Sequence, residues 1–449
     1  MRKSALGAVL AVLTSATVLV GSPAFAAPNA TTPVTVTVSP VNGSHVGSGF
    51  AGFSYEKDRI GAGLFDVNNT NLVRLFRLLG PNVLRIGGNE VDRINWNPNG
   101  AGGVSTEVAP SDVMKLAGFM KATGWKVIYG IDLKLNTAAN AASEAQFAAS
   151  ELGNSLQAFE IGNEPDFYNT QAQYEVNYST YVQAIKAVVP GAVFDGPGQA
   201  KGTSWEPSFG LDQKANSLTI LSDHTYIDSA ANANIPEMLA STQPGGKLQN
   251  TAAAMNKAQA ATGVPTWRMT ETNSFFNGGA IGVSDTEAAS LWSLEYMAAI
   301  AANNGAGINF HGGSASKYTP IVFSGNTPTG VQGVYYGQLL WVLAGTGAFH
   351  SATVAGATGV AAWGVGRNVF VDNESASPIT ATIRLTTPVV AGFQFVLTAP
   401  ALTSTATTIG GSSVGADATF TPKPQPMLIL GHTATITVPA NSAVLLDTL

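Results

Sequence analysis

Short apolar runs alternate with segments of helical periodicity from about residue 49 to residue 345. Apolar runs of this length favour buried strands, and apolar positions spaced three and four apart favour helices that pack on a sheet. The alternation indicates βα units and a parallel sheet. Eight runs qualify as strands: Gly49–Glu56, Asn82–Gly87, Lys126–Leu133, Leu156–Asn163, Ala192–Gly196, Leu218–Tyr226, Thr266–Thr272 and Gly307–Gly312. Eight such units predict a closed (β/α)₈ barrel of the α/β class.

The segments between these runs carry specific helix signals. Leu72, Phe76 and Leu79 fall on one face of a predicted helix. The stretch 284–287, Ser-Asp-Thr-Glu, has the spacing of a capping box, in which side chains at the helix start bond the free backbone N–H groups. We therefore expect a helix that begins there and runs to about Asn303.

After residue 345 the pattern changes to strict alternation of apolar and polar residues. Ile379, Ala381 and Ile383 are separated by threonines, and Ile436 and Val438 continue the same pattern later. Alternation with period two predicts antiparallel strands that have one buried face. We expect a catalytic barrel over residues 27–345 and an antiparallel β-sandwich over residues 346–449. The early strand 34–38 precedes the barrel and is expected to join the sandwich.

The first 26 residues resemble an export signal. Arg2 and Lys3 are followed by an apolar stretch, and the segment ends in the small-residue sequence Ala24-Phe25-Ala26. This order of basic, apolar and small residues is typical of a secretory signal peptide. The sequence predicts a secreted or periplasmic protein whose mature form begins near Ala27.

Composition excludes several function classes. The chain has no cysteine, so disulfides and thiolate chemistry are excluded. Its net charge is −6, only 11% of its residues are charged, and no run of lysines and arginines is present. We therefore expect neither nucleic acid nor a membrane as a partner. No His-x-His or His-x-x-x-His pair occurs, and we predict no metal and no cofactor.

Two glutamates follow apolar runs in a way that suggests catalysis. Residues 159–168 read FEIGNEPDFY, so a buried strand ends just before Asn163 and Glu164. Residues 264–273 read VPTWRMTETN, in which Glu271 occupies the corresponding place. Strand C-terminal ends carry the chemistry of such barrels, and glycoside hydrolysis uses a pair of carboxyl groups. Either glutamate alone could instead cap a helix or pair with an arginine.

Supporting groups are predicted around this pair. Glu160 shares the strand face of Glu164 but lies roughly 13 Å deeper at about 3.3 Å per residue, so we interpret it as a buried partner of Arg85. The Arg85 cation could hold Glu271 ionised, as a nucleophile requires, or form a purely structural ion pair. The Tyr226 hydroxyl could donate to the same carboxylate.

Further polar and aromatic residues are expected at the same rim. Those that could bind sugar hydroxyls are Glu56, Asn89, Asp92, His224, Asn309 and His311. A lone histidine or tyrosine at a strand end is also compatible with ordinary packing. Trp96 and Trp205 could stack on sugar rings or anchor loops.

Five segments in order resemble glycoside hydrolase family 79, which contains β-glucuronidases and heparanases. They are GFSYE, VLRIGGNEVD, FEIGNEPDFY, ETNSFFNGG and NFHGG. The resemblance runs from about Val34 to the C-terminus, and it implies a covalent glycosyl-enzyme, net retention and recognition of a uronic acid carboxylate. It assigns Glu164 as the acid, Glu271 as the nucleophile, and Asn163 as the group that holds the sugar 2-hydroxyl.

The sequence departs from this family at one position. Family members carry a tyrosine five residues after the nucleophile, where its hydroxyl contacts the sugar carboxylate. Phe276 occupies that position here, or Phe275 if the loop shifts by one residue. The resemblance leaves the amides of Gly278 and Gly279 and the hydroxyl of Tyr318 to bind the carboxylate.

These observations predict a retaining β-glycosidase that acts on glycans or small glycosides, and a β-glucuronidase is the first hypothesis. A retaining enzyme for a neutral sugar, such as a glucosidase or xylosidase, is the alternative that the departure at Phe276 favours. A carbohydrate-binding barrel without activity is the third hypothesis, and the presence of both Glu164 and Glu271 argues against it.

Overall fold

The structure, a computed structural model, describes residues 31–313 and 316–449. The predicted signal peptide, residues 1–26, lies outside the described residues. Residues 32–449 form one compact unit. None of the helices in the described part of the chain has the length and apolar composition needed to cross a lipid bilayer.

A closed barrel of eight parallel strands forms the first part of this unit, and the predicted fold class is confirmed. After the N-terminal strand β1, Thr32–Val38, the barrel strands are β2 Ala51–Glu56, β3 Val83–Gly87, β4 Lys126–Ile131, β5 Leu156–Ile161, β6 Phe194–Gln199, β7 Leu218–Ser229, β8 Thr266–Phe276 and β9 Ile308–Gly312. Neighbours pair in chain order, and β9 closes the barrel by pairing with β2. All eight predicted strands are present.

One main helix follows each barrel strand. These helices are α1 Thr70–Leu78, α2 Pro110–Thr123, α3 Ala138–Leu152, α4 Gln171–Val188, α5 Glu206–Gln213, α6 Lys247–Thr262, α7 Glu287–Ala302 and α8 Gly333–Leu343. Shorter α-helical turns span Asp58–Gly61 and Ile235–Ala240, and 3₁₀ turns span Asn89–Asp92, Gly153–Ser155, Pro165–Phe167, Lys214–Asn216 and Ala230–Asn232. In α1 the predicted face is confirmed, since Leu72 and Phe76 are buried.

The capping box predicted at the start of α7 is wrong, although the helix lies where it was expected. Thr286 is the N-cap residue but makes no capping hydrogen bond through its side chain. The loop carbonyls of Ser404 and Leu402 accept hydrogen bonds from the first helical N–H groups, those of Glu287 and Ala288. Contacts from distant sequence satisfy the free N–H groups at this helix start.

The remaining strands are largely antiparallel, as the alternation predicted. They comprise β10 Ile321–Ser324, β11 Thr327–Val331, β12 Gly347–Ala355, β13 Val360–Val365, β14 Asn368–Asn373, β15 Ile379–Thr398, β16 Gln425–Val438 and β17 Ser442–Thr448, with two-residue strands at His45–Val46, Asn95–Trp96, Glu107–Val108 and Thr408–Ile409. The N-terminal strand β1 pairs antiparallel with β12 and parallel with β15. Val36, Ile383 and Ile436 lie in the apolar core between these strands.

Candidate active site

The C-terminal ends of the barrel strands surround a cavity of about 730 Å³. Most side chains predicted for the site line this cavity, which is where such barrels carry their chemistry. The predicted residues that line it are Glu56, Asn89, Asp92, Asn163, Glu164, His224, Tyr226, Glu271, Phe276, His311 and Tyr318.

An irregularity in strand pairing sets the position of Glu271. Asp223 of β7 pairs with Met269 of β8, whereas the next residue, His224, pairs with Glu271, so Thr270 is an extra residue in β8. Bulges of this kind redirect the side chains that follow them. Glu271 consequently lies beside His224 and is only 6% exposed.

Arg85 lies beneath the cavity, is fully buried, and uses its whole guanidinium group. Its Nη1 donates to Glu271 Oε2 at 2.5 Å and to Ser54 Oγ at 3.3 Å. Its Nε and Nη2 donate to Glu160 at 2.6 and 3.1 Å, and Nη2 also donates to Asn163 Oδ1 at 2.8 Å. The predicted pairing of Arg85 with Glu160 is confirmed. Five donors in a rigid fork fix the orientation of both carboxylates.

Glu271 is held as an anion by its neighbours. Tyr226 Oη donates to Glu271 Oε1 at 2.9 Å, as predicted from the sequence. His311 lies between two carboxylates, with Nδ1 3.6 Å from Glu271 Oε2 and Nε2 3.6 Å from Glu56 Oε1. Burial alone would raise the pKa of Glu271, but the charges of His311 and Arg85, together with the Tyr226 hydrogen bond, lower that pKa to about 2.

Glu164 follows β5 in an unusual backbone conformation. Its φ of 46° and ψ of 55° lie in the left-handed region, which is costly for a residue with a side chain. His224 Nδ1 lies 3.3 Å from Glu164 Oε1. One carboxylate oxygen of Glu164 and one of Glu271 lie within 4.8 Å of each other. The two predicted glutamates therefore form a close pair across the cavity.

His224 lies between the acidic groups Glu160 and Glu164, which favour its protonated form. Burial and the Arg85 charge lower the pKa of His224, but its contacts with Glu160 and Glu164 outweigh them and raise that pKa to about 10. His224, Glu164 and Glu271 are also the one group within residues 31–313 and 316–449 whose spacing would suit a metal ion. Both oxygens of Glu271 already accept hydrogen bonds, from Arg85 and Tyr226, and His224 lies between Glu160 and Glu164. The donor set therefore fits an acid–base pair better than a metal site.

Asn163 has a fixed amide orientation. Because its Oδ1 accepts from Arg85, the Nδ2 group is the end left for a ligand in the cavity. Its backbone N–H donates to Asp92 Oδ2 at 3.1 Å, and Tyr168 Oη donates to the same oxygen at 2.7 Å. Asp92 Oδ1 accepts from the backbone of Leu133 at 3.0 Å. Asp92 thus joins three loops around the cavity, so its oxygens are less free for sugar hydroxyls than the sequence suggested.

Of the residues predicted to bind a sugar carboxylate, Phe276 and Tyr318 line the cavity, whereas Gly278 and Gly279 do not. Phe276 lines the cavity and is 42% exposed, whereas Phe275 is fully buried, so Phe276 occupies the position at issue. Tyr318 also lines the cavity. The N–H of Gly279 donates to the carbonyl of Phe275 at 3.1 Å within a turn, so this amide is not free for a ligand, and neither Gly278 nor Gly279 is among the lining residues.

The structure corrects the rim assignment of Asn309 and decides between the two alternatives left open for Trp96. Asn309 lies deep in the barrel, where its Oδ1 accepts from Arg268 at 2.5 Å. The sequence pattern gave its face correctly but not its depth along the strand. Trp96 is buried and donates to Ser143 at 3.1 Å, so it anchors a loop. Trp205 is also absent from the cavity lining.

Several lining residues were not anticipated from the sequence. Lys134 and Lys201 follow the ends of β4 and β6, and their ammonium groups lie 5.2 Å from the ring centre of Tyr168 and 4.2 Å from that of Phe167. Arg93 and Lys247 complete the basic lining. For Lys134 and Lys201, the position just after a barrel strand was the available signal, although single exposed lysines in loops are common.

Replacing Arg85 with methionine should destabilise the fold. Glu160 and Glu271 would remain buried without their cation, which costs about 3–5 kcal/mol of unfolding free energy. The pKa of Glu271 is lowered from 4.5 to about 2 in the native protein, so its ionised form stabilises the fold above pH 4.5 and loses this effect as pH falls towards 2. Arg85→Met should raise that pKa and move acid unfolding to higher pH.

Urea unfolding at several pH values would measure both effects. The exposed Arg74, replaced in the same way, is the control and should change stability by less than about 0.5 kcal/mol. Equal stability of Arg85→Met and the wild type would contradict the ion-pair interpretation.

Comparisons with known proteins support the fold. No protein-family model matches the chain. A β-glucuronidase of Aspergillus niger is 27% identical over 264 residues, which cover 48% of this chain and 46% of that protein. The alignment therefore spans less than half of the relative's length.

Two solved structures illustrate the shared architecture. The 4-O-α-L-rhamnosyl-β-D-glucuronidase of Fusarium oxysporum matches with a TM-score of 0.78 and 22% identity, over 92% of this chain and all of that one. A family 51 α-L-arabinofuranosidase of Bifidobacterium longum matches with a TM-score of 0.71 and 16% identity, over 94% of this chain and all of that one. The chain thus has the barrel fold found in these glycoside hydrolases.

Proposed function

We propose that this protein is an exported, retaining β-glycosidase of the family 79 type that hydrolyses β-glucuronides. The observation that carries the proposal is the pair of glutamates whose nearest oxygens lie within 4.8 Å. Retaining enzymes keep their two carboxyl groups roughly 5–5.5 Å apart, whereas inverting enzymes need about 6.5–9.5 Å to admit a water molecule. The likeness to the A. niger β-glucuronidase supports the choice of glycone, and the predicted signal peptide supports export.

The two glutamates have distinct roles in this mechanism. Glu271, held ionised by Arg85 and Tyr226, attacks the anomeric carbon as the bond to the leaving oxygen breaks. Glu164 gives its proton to that oxygen, and a covalent glycosyl–Glu271 ester results. Water then gives a proton to Glu164 and attacks the anomeric carbon from the side that the leaving group vacated. Glu271 is released as a carboxylate, and the configuration of the sugar is retained.

The remaining cavity residues would bind the sugar. The Nδ2 group of Asn163 is available to the 2-hydroxyl, because Arg85 fixes the opposite end of the amide. Glu56 and His311 present polar atoms at the neighbouring strand ends. The hydroxyl of Tyr318 is available to bind a uronic acid carboxylate.

A retaining glycosidase for a neutral sugar is the second candidate. Two observations favour it: Phe276 offers no hydroxyl, and the Gly279 amide is already bonded within its own turn. The basic lining residues Lys134 and Lys201 favour a glucuronide instead, since their positive charges attract an anionic sugar to the cavity.

A panel of 4-nitrophenyl β-glycosides tests both candidates. We expect release of nitrophenol from the glucuronide, and proton NMR should detect the β-anomer of the sugar as the first product. Preferential hydrolysis of the glucoside or xyloside would favour the second candidate. Initial formation of the α-anomer would exclude retention, and no hydrolysis of any member would exclude a glycosidase.

The Phe276→Tyr variant should raise selectivity for the glucuronide over the matching glucoside. A hydrogen bond to a charged group contributes about 1.5–3 kcal/mol, which corresponds to about ten- to a hundredfold in the ratio of specificity constants. Phe276 is already partly exposed in the cavity, so the added hydroxyl has space. The measurement is kcat/KM for both substrates in both proteins.

Phe167→Tyr is the matched control, because Phe167 also lines the cavity but belongs to the loop after Glu164. It should leave the ratio unchanged. An unchanged ratio in Phe276→Tyr as well would mean that the carboxylate site is wrongly located, while the assignment of a glycosidase would remain.

A further inference from the structure

Two acidic side chains lie next to each other beneath the cavity but have different surroundings. Glu160 of β5 and Asp195 of β6 are register partners on neighbouring strands, and both are buried. Glu160 accepts from Arg85 at 2.6 and 3.1 Å, and its Oε1 lies 3.5 Å from His224 Nε2. Neither oxygen of Asp195 has a hydrogen-bond partner of ordinary geometry among the described residues, although the nearby Ser222 hydroxyl favours its charged form. Glu160 thus contacts two cations directly, whereas Arg85 and His224 act on Asp195 only through the weaker attraction of their charges.

Glu160 contacts the two cations that in turn contact the catalytic pair. Arg85 bonds Glu271 at 2.5 Å, and His224 Nδ1 lies 3.3 Å from Glu164 Oε1. The buried Glu160 carboxylate therefore contacts both the cation that bonds the nucleophile Glu271 and the cation beside the acid Glu164. Buried charges depend strongly on such partners, because water is not available to replace them.

The backbone nearby leaves space for this contact. Gly198, at the end of β6, has a φ of +61°. A Cβ atom there would lie 2.9 Å from Glu160 Oε1 and 3.2 Å from His224 Nε2. Only glycine therefore permits the close approach of the histidine and the glutamate at this point.

We propose that Glu160 is a positioning residue for both catalytic glutamates: its charge keeps His224 protonated beside Glu164 and holds Arg85 on Glu271, while the adjacent Asp195 stays neutral. This inference rests on the proposed glycosidase function. Two adjacent buried carboxyl groups do not both ionise readily, and the one in contact with two cations keeps the charge. The described titratable groups that interact with Glu160 are Arg85 from β3, Asp195 from β6, His224 from β7, and Tyr174 and Tyr178 from α4.

The pKa values of Glu160, Asp195 and His224 each shift in the direction that these charge states require. Burial would raise the pKa of Glu160, but Arg85 and His224 lower it below its ordinary value. Burial and the neighbouring charge of Glu160 raise the pKa of Asp195 to about 8. His224, with a pKa of about 10, stays charged through the usual range of glycosidase assays.

Replacing each acid by its amide gives a matched test. Glu160→Gln removes the charge, so we expect kcat to fall about a hundredfold, the scale on which small misplacement of reacting groups slows a reaction. KM should change much less. Asp195→Asn replaces one neutral group by another of the same shape and should stay close to wild type.

The pH profile provides a measurement that a purely structural role would not alter. Without Glu160, His224 loses the first of the contacts that raise its pKa, whereas burial and Arg85 still lower that pKa and Glu164 and Glu271 still raise it, so the pKa of His224 should fall. Wild-type activity should fall at high pH because the acid Glu164 loses its proton. In Glu160→Gln an additional step, the titration of His224, should make this fall begin at lower pH, and Asp195→Asn should keep the wild-type profile. His224→Gln, which has no titrating ring, should lose kcat to a similar extent without that step.

Two results would overturn the inference: an equal loss of kcat in Asp195→Asn and Glu160→Gln, or a Glu160→Gln profile with the wild-type shape. Circular dichroism and thermal unfolding would check that each variant folds. If Glu160→Gln does not fold, His224→Gln decides, because a kcat near wild type in that variant would contradict the proposal. Failure of the wild type to hydrolyse any glycoside would instead contradict the glycosidase function itself.

Discussion

The Glu271→Ala variant should lose nearly all turnover. Glu271 is the carboxylate that Arg85 and Tyr226 hold as an anion, and its pKa of about 2 leaves it ionised at every practical pH. Removal of a catalytic nucleophile costs about four to six orders of magnitude in kcat. The measurement is the steady-state rate on the best nitrophenyl glycoside.

Chemical rescue distinguishes loss of the nucleophile from damage to the site. Azide is small enough to occupy the space of the missing carboxylate, and it should restore turnover and yield a glycosyl azide of inverted configuration. Glu56→Ala removes another cavity carboxylate and is the control, since it should lower activity far less and gain nothing from azide. Activity of Glu271→Ala equal to wild type would remove this residue from the mechanism.

The barrel was predictable because its signals are local. Each buried parallel strand is a short apolar run, and each helix has an apolar face, so all eight strands could be located from the sequence. The strand ends were less accurate. β7 continues to Ser229 and β8 to Phe276, because these strands pair with each other beyond the barrel rim. Pairing with a partner distant in sequence leaves no local signal.

The close pair of glutamates was also predictable, because strand ends in such a barrel converge on one face. The depth of the neighbouring side chains in the barrel and the identity of their hydrogen-bond partners were not predictable. Asn309 shares the interior face but bonds Arg268 well below the cavity. The free N–H groups at the start of α7 are satisfied by a loop that contains Leu402 and Ser404, more than a hundred residues later. Such contacts depend on the tertiary structure, which the hydrophobic periodicity and the motif spacing of the sequence do not encode.

Glu164→Ala should show a loss of rate that depends on the leaving group. Glu164 donates a proton to the leaving oxygen in the proposed mechanism, and general acid catalysis contributes about 10²–10⁴-fold. A glycoside with a poor leaving group should lose this whole factor. A glycoside of an acidic phenol needs little protonation, so formation of its glycosyl-enzyme should remain fast and the later attack of water should become rate-limiting.

The kinetic pattern separates this role from a structural one. Glu164→Ala should give a burst of nitrophenol followed by slow turnover, with a KM well below that of wild type, because the glycosyl-enzyme accumulates. Azide should accelerate the slow phase and give a glycosyl azide of retained configuration, in contrast to the inverted product expected from Glu271→Ala. Glu56 is a cavity carboxylate that bonds the backbone of Glu90 and not Glu164, so Glu56→Ala is the control and should slow good and poor leaving groups to a similar extent. A uniform loss across leaving groups in Glu164→Ala would mean that this glutamate supports the site without acting as its acid.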